Sequence, residues 1–336
     1  MSKLGSTGLN IYELGFGGIP IQRISKEESK SVIQNARNKG INFIDTAVMY
    51  TVSEEYIGYA IKENTEDFVI ATKSMARTYE DMKKDIEASL TKLCRDYIDI
   101  YQLHNLGLAD YDKVMGNDGA VKALLEAKNQ GKIRHIGITS HSAEVLEKAI
   151  DEKVFETVQF PFNIVENQGI EMFKKAKSKG IGTIVMKPLA GGAIEDTSLA
   201  IRYIMSHDFI DVIIPGMADE KEIEENINAV SDKNPLSDEE IKQIDKIKKE
   251  MGDKFCRRCG YCMPCTVGIN IPAQFIVEGY LKRYDLKKWA VDRYESANVK
   301  ASDCTSCKVC ESRCPYGLLI SKMMKRTADA FADAQR

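Results

Sequence analysis

The stretch Ile133-Arg134-His135-Ile136-Gly137-Ile138-Thr139-Ser140 is followed by Ala143–Ile150 and then by Thr157-Val158-Gln159-Phe160-Pro161-Phe162-Asn163. The two outer runs are short and apolar, as buried parallel strands are. The middle run carries its apolar residues at helical spacing. The same alternation continues in both directions. Glu13–Gly18, Asn42–Ala47, Phe68–Lys73 and Tyr97–His104 precede it as strands, and Gly182–Leu189 and Val212–Met217 follow. Ser25–Lys39, Tyr79–Cys94, Asp118–Gln130, Gly169–Lys179, Ile194–Ser206 and Glu220–Val230 read as the intervening helices. Ser25-Lys26-Glu27-Glu28 has the form of a capping box. Gly40, Gly131 and Gly180 stand where a helix closes just before a strand.

Eight strands with helices between them predict an α/β fold, a (β/α)8 TIM barrel, for which about 250 residues are typical. An open doubly wound sheet is the alternative. Gly15-Phe16-Gly17-Gly18 is not a dinucleotide fingerprint, because the glycine spacing and the following acid are missing. Asn234-Pro235-Leu236 breaks the alternation. The barrel is therefore expected over 1–235, and a packing helix, Ser237–Met251, opens a second domain over 236–336.

The chain has 336 residues, 43% apolar and 29% charged, with a net charge of -3. Length alone favours two domains. The composition argues against disorder, and the charge balance gives no footprint for nucleic acid. The first residues lack a signal-peptide core, and no run of eighteen apolar residues exists, so no membrane span and a cytoplasmic location are expected.

Nine cysteines are distributed unevenly: residues 1–255 hold Cys94 alone, and 256–314 hold the other eight. Cys94, on a barrel helix, is expected to be a small buried hydrophobe. The remaining eight form two runs, Cys256-x2-Cys259-x2-Cys262-x2-Cys265 and Cys304-x2-Cys307-x2-Cys310-x3-Cys314-Pro315. The second has the form that binds [4Fe-4S] clusters in two-cluster ferredoxins. Short x2 steps wrap three thiolates round one cube, and the fourth comes more readily from the other run. The preferred wiring is Cys256, Cys259, Cys262 and Cys314 for one cluster, and Cys304, Cys307, Cys310 and Cys265 for the other. The first run departs from the pattern, with x2 before its last cysteine and Thr266 in place of proline. Two structural zinc sites, each with four cysteine ligands, are the alternative. Ile271–Tyr284, Leu286–Asn298 and Leu318–Ala334 read as helices, so this segment resembles the α-helical ferredoxin module. Trp289 and Tyr294 are expected to be core anchors.

Active sites of TIM barrels lie at the C-terminal ends of the strands. Asp45, Lys73 and His104 fall there, and Tyr50 is on the loop after Asp45. The segments Asp45–Glu54 with Ile57-Gly58, Ala71-Thr72-Lys73, Asp99–His104, Ile133–Gly137, Val158-Gln159, Lys187-Pro188-Leu189 and Ile214-Pro215-Gly216 resemble the aldo-keto reductase family. The resemblance covers about residues 1–250. It implies carbonyl chemistry with NAD(H) or NADP(H) and a catalytic tetrad of Asp45, Tyr50, Lys73 and His104. The chemistry of these residue types agrees. A carbonyl oxygen gains negative charge as hydride arrives, so it needs a proton donor within about 3 Å. A free tyrosine, at about 10, is a poor acid. A neighbouring ammonium favours the phenolate and makes it a better one. Asp45 would hold Lys73, and His104 would orient the substrate oxygen.

The resemblance further places Thr139, Ser140 and Gln159 at the nicotinamide carboxamide, and Met186 where the family commonly stacks a tyrosine. Lys187, Gly216 and Asn226 fall on the cofactor side. After the eighth strand, Ala218, Asp219 and Glu222 replace the usual serine, basic residue and glutamine. Asp219 and Glu220 would repel a 2′-phosphate, a lean towards NADH, though Lys221 or Lys187 could reach a phosphate. His141 is a further candidate for substrate contact.

An oxidoreductase acting on a small carbonyl or alcohol follows, carrying two [4Fe-4S] clusters. The pairing with an iron-sulfur tail resembles an oxidoreductase subfamily of anaerobic bacteria and archaea. Two alternatives stand beside it: an electron-transfer enzyme coupled to a redox partner protein through the clusters, and a redox sensor on a reductase scaffold.

Overall fold

The computed structural model describes residues 1–63 and 65–334. Eight parallel strands lie side by side in chain order. They are β1 (Phe16–Gly17), β2 (Phe43–Asp45), β3 (Val69–Ser74), β4 (Ile98–Leu103), β5 (Ile133–Thr139), β6 (Thr157–Pro161), β7 (Gly182–Met186) and β8 (Val212–Ile214). The sheet returns on itself. The Gly15 and Gly17 N–H groups donate to the carbonyls of Ile213 and Pro215, each at 2.8 Å. A Cβ on Gly17 would stand 2.7 Å from the Pro215 oxygen, so the closure needs glycine there. The TIM barrel expected from the alternation is therefore present, with each expected run overlapping one strand. All the runs but Phe68–Lys73 overshoot their strands at the C-terminal end. Val212–Met217 pairs with β7 only to Ile214, before Pro215, which lacks an N–H donor.

One element is not anticipated by the alternation. Ser2–Lys3 and Asn10–Ile11 form a short antiparallel hairpin. Its Leu4 and Ile11 pack with Phe43, Val69, Ile184 and Val212. Phe43, Val69 and Val212 begin β2, β3 and β8, and Ile184 lies on β7, so the hairpin plugs the N-terminal end of the barrel. Two residues per strand are too few to show periodicity.

The helices start where local chemistry directs. Ser25 and Glu28 form a reciprocal capping box at the helix Lys26–Asn38. Ser237 and Glu240 do the same for Asp238–Met251. The expectation for Cys94 is corrected: it is exposed, and takes the left-handed position (φ 53°) that ends the helix Tyr79–Leu93. The chain must turn sharply there into β4, which lifts the side chain off the apolar face.

The chain divides into two compact units. One comprises Met1–Leu189 and Asp196–Leu236; the other comprises Ala190–Glu195 and Ser237–Arg336. The second unit is mainly helical, with Ile271–Arg283, Lys287–Glu295 and Ile320–Ala334 around its own core. Tyr294 is buried there, its ring stacked on Phe331 at 4.0 Å. The buried Glu278 carboxylate joins two of these helices through a bidentate bond to Arg326, 2.9 Å at each oxygen. Among the described residues, no helix is long and apolar enough to cross a membrane.

Candidate functional site

Asp45 ends β2 and Lys73 lies on β3, so both side chains enter the C-terminal mouth of the barrel. Both are buried, at 4% and 1% exposure. Lys73 Nζ donates to Asp45 Oδ1 at 2.6 Å and to the Thr46 carbonyl at 2.7 Å. The loop after β2 keeps this geometry, because the Thr46 and Val48 N–H groups continue the ladder onto the Ala71 and Lys73 carbonyls. Burial pushes the Asp45 carboxyl up and the Lys73 ammonium down, and the mutual attraction of the pair opposes both shifts.

The same loop carries Tyr50, whose ring lies 5.1 Å from the Lys73 ammonium. His104, directly after β4, meets Tyr50 edge to face at 6.0 Å between ring centres. Burial holds His104 well below the usual imidazole range, with the Lys73, Arg77 and Lys187 cations adding to the effect. The imidazole is therefore neutral, and its Nδ1 has no hydrogen-bond partner among the described residues. The structure thus brings Asp45, Tyr50, Lys73 and His104 together at one mouth: one buried ion pair, one phenol, one neutral imidazole. That set can donate a proton to an oxygen and orient it.

Three supporting residues escaped the sequence reading. Gln102, on β4 beside Lys73, donates to Gln159 on β6 at 3.0 Å, and both amides lie against Asp45. Arg77 reaches back to the His104 and Asn105 carbonyls at 2.9 and 3.1 Å. Asn105 Oδ1 meets His141 Nδ1 at 2.7 Å. The inward period of β4 was the available signal for Gln102; Arg77 and Asn105 sit in loops and had none.

The residues expected on the cofactor side have their polar groups partly engaged. Thr139 Oγ1 accepts the Asn105 N–H at 2.7 Å. Ser140 Oγ donates to the Leu106 carbonyl at 2.7 Å and accepts the Ser142 N–H at 3.0 Å. Met186 ends β7 half-buried, and Lys187 follows in the left-handed region, φ 57°. Gly216 pairs with Gly17 at the barrel seam. Asn226 is buried at 3% exposure, and its Oδ1 has no partner among the described residues. An unsatisfied buried acceptor fits a ligand that brings a donor.

In the C-terminal unit the cysteines gather into two sets of four. Cys256, Cys259, Cys262 and Cys314 line one small pocket. Cys265, Cys304, Cys307 and Cys310 line another. The backbone turns alike in both runs. Arg258 and Gly260 are left-handed in the first, and Ser306 and Lys308 in the second. These are the second residue after the first cysteine and the one directly after the second. Alternating backbone hands turn successive N–H groups inward, the form of an anion nest. The Arg258 N–H accordingly points to Cys256 Sγ at 3.4 Å, and Thr266 Oγ1 lies 3.2 Å from Cys307 Sγ. Burial pushes the Cys262 thiol up to about 12, with Cys256 and Cys259 adding to the rise. Burial of this kind favours the neutral thiol, and nearby positive charge opposes it. Among the described residues, no three ligating side chains converge as a single metal ion requires. Four cysteine sulfurs in each set are the donor type that a [4Fe-4S] cluster takes.

Residues 13–198 and 196–249 match the aldo/keto reductase family, and residues 255–319 match the 4Fe-4S dicluster domain. An L-galactose dehydrogenase of Arabidopsis thaliana is 26% identical over 287 residues, covering 70% of this chain and 89% of the relative. An aldo-keto reductase from Bacillus halodurans, in its holo form, superposes with a TM-score of 0.63 at 25% identity. That match covers 73% of this chain and 95% of the other. The aldo-keto reductase of Klebsiella pneumoniae, solved with NADPH, shares the fold at a TM-score of 0.62 and 21% identity, covering 74% and 94%.

Proposed function

Because the chain belongs to the aldo/keto reductase family, we propose that it reduces a small aldehyde or ketone, or oxidises the matching alcohol, at the mouth formed by Asp45, Tyr50, Lys73 and His104. The observation that carries this reading is the buried 2.6 Å pair of Lys73 and Asp45 set beside the Tyr50 ring. A nicotinamide dinucleotide, when bound, supplies or accepts the hydride. Thr139, Ser140, Gln159, Met186, Lys187, Gly216 and Asn226 would hold it. Tyr50 gives its hydroxyl proton to the substrate oxygen. The Lys73 ammonium favours the phenolate that remains, and Asp45 keeps that ammonium in place. The neutral His104 imidazole orients the same oxygen by hydrogen bonding. In the oxidative direction Tyr50 takes the proton back.

The reading extends to two [4Fe-4S] clusters, one in each cysteine-lined cavity. Cys256, Cys259, Cys262 and Cys314 would hold one, and Cys265, Cys304, Cys307 and Cys310 the other. Such clusters supply one-electron transfer. Cys307 is exposed, whereas Cys262 is buried. The second set is therefore the one a redox partner protein would approach.

The test uses protein purified without oxygen. About eight iron atoms per chain are expected, against about two zinc for the alternative. A Tyr50→Phe variant is expected to keep nucleotide binding while losing carbonyl reduction. Full activity in that variant would overturn the assignment.

A further inference from the structure

Barrels that bind phosphorylated ligands often seat the anion between the loops after the last two strands and a helix N-terminus. In this chain a side chain of its own holds that place. Asp219 caps the helix Glu220–Ser231, and Glu222 folds back over the loop after β8. Glu222 Oε2 accepts the Ala218 N–H at 2.6 Å. Its Oε1 accepts from Arg23 Nη2 at 2.8 Å. One carboxylate thus takes both a backbone donor at the helix start and the guanidinium of Arg23. The acids expected to act here are turned elsewhere. Asp219 accepts the Glu222 N–H at 2.8 Å, and Glu220 accepts from Asn35 at 2.9 Å. Lys221 is largely exposed, 3.7 Å from Glu225.

A second observation points to a ligand at this place. Asn226, one turn further along, donates to the Glu222 carbonyl at 2.6 Å and leaves its buried Oδ1 without a partner among the described residues. An amine-bearing ring such as adenine supplies the missing donor, and its ribose would then lie towards Glu222.

Resting on the nicotinamide reading above, we propose that Glu222 selects a dinucleotide with a free ribose 2′-hydroxyl, NAD(H), and rejects NADP(H). A hydroxyl donates to a carboxylate, whereas a 2′-phosphate meets like charge. Acids read the 2′-hydroxyl and arginines accept the 2′-phosphate in dinucleotide sites generally. Both kinds of residue are present here, locked to each other. Removing the carboxylate takes away the negative charge and leaves the positive charge of Arg23 beside the loop, so one substitution should shift the preference.

Isothermal titration calorimetry on the full chain tests this with NADH, NADPH, AMP and adenosine 2′,5′-bisphosphate. The wild type is expected to bind NADH at least about tenfold more tightly than NADPH, and AMP more tightly than the bisphosphate. Glu222→Gln keeps an acceptor for the Ala218 N–H. It should raise NADPH affinity on the order of tenfold and lower NADH affinity, because the neutral amide accepts the ribose hydroxyl less strongly than the carboxylate. Adding Arg23→Ala should remove that gain. Wild-type protein that binds NADPH as tightly as NADH overturns the proposal and leaves the nicotinamide reading standing. So does a folded Glu222→Gln protein with an unchanged ratio. Binding of neither dinucleotide overturns both.

Discussion

Replacing Lys73 by methionine removes one half of a buried ion pair and should separate what that pair does for stability from what it does for catalysis. Its partner lies 2.6 Å away and both groups are almost fully buried. Breaking such a pair from one side leaves a charge without compensation and costs about 3–5 kcal/mol. Lys73→Met and Asp45→Asn should each lower the unfolding free energy by about that amount, read from urea titrations monitored by circular dichroism. The double variant leaves no buried charge, so it should regain most of the loss.

Activity should not return with stability. At an effective dielectric near 20, a cation 5.1 Å from the Tyr50 ring centre favours the phenolate by about 3 kcal/mol. That corresponds to roughly a 10²-fold slower carbonyl reduction in every variant lacking Lys73, the double variant included. The assay is NADH oxidation with a fixed aldehyde, beside calorimetric nucleotide binding, which should change little. A double variant that recovers stability and also retains wild-type turnover would refute the assignment of Lys73 to proton transfer. A double variant no more stable than the singles would refute the ion-pair argument.

Two further outcomes concern pH. Burial raises Glu156, but bonds from His135 at 2.6 Å and from Lys128 outweigh it and hold the carboxyl down to about 2. Its folded value is thus below the unfolded one, so its stabilisation is complete above about 4.5 and is lost as pH falls towards 2, at most about 3 kcal/mol. Glu156→Gln should flatten the stability profile across that window. His104 is also held below its unfolded value. The unfolded chain therefore binds the extra proton first, and stability falls as pH drops below about 6.5. His104→Asn should reduce that slope, and an unchanged profile would show that the imidazole is not buried neutral.

The sequence made the barrel legible because each strand is buried on both faces and therefore reads as a solid apolar run. The N-terminal hairpin was not legible, since two residues per strand carry no period. Asp45, Lys73 and His104 were legible at or beside strand ends and Tyr50 on the loop after Asp45, and the resemblance to the aldo-keto reductases joined them into one set. Gln102 and Arg77 act through contacts to other strands and loops, which no spacing reveals. The acids after β8 show the limit most clearly. Sequence pointed to Asp219 and Glu220 as the repelling charges, but capping chemistry and Asn35 occupy those two. Glu222, two residues on, is the one that folds over the loop. Cys94 failed for a related reason: a helical pattern marks a face, but the closing residue of a helix leaves it.

One electron count remains to be met by experiment. A hydride carries two electrons together, whereas a [4Fe-4S] cluster passes one at a time. In the proposed reaction Tyr50, Lys73, Asp45 and His104 would exchange protons and charge; none divides an electron pair. Coupling the two chemistries therefore demands a group that accepts a pair and releases single electrons, such as a flavin. On this argument NADH added without oxygen and without a carbonyl should leave the proposed clusters oxidised, with their visible absorption unbleached. Dithionite should bleach them fully, and about two electrons per chain should suffice, one for each cluster. Adding free flavin with NADH should then permit slow bleaching through the exposed Cys307 side. Rapid bleaching by NADH alone would contradict the argument. It would mean that the barrel holds a pair-splitting group, because the side chains at its mouth cannot supply one.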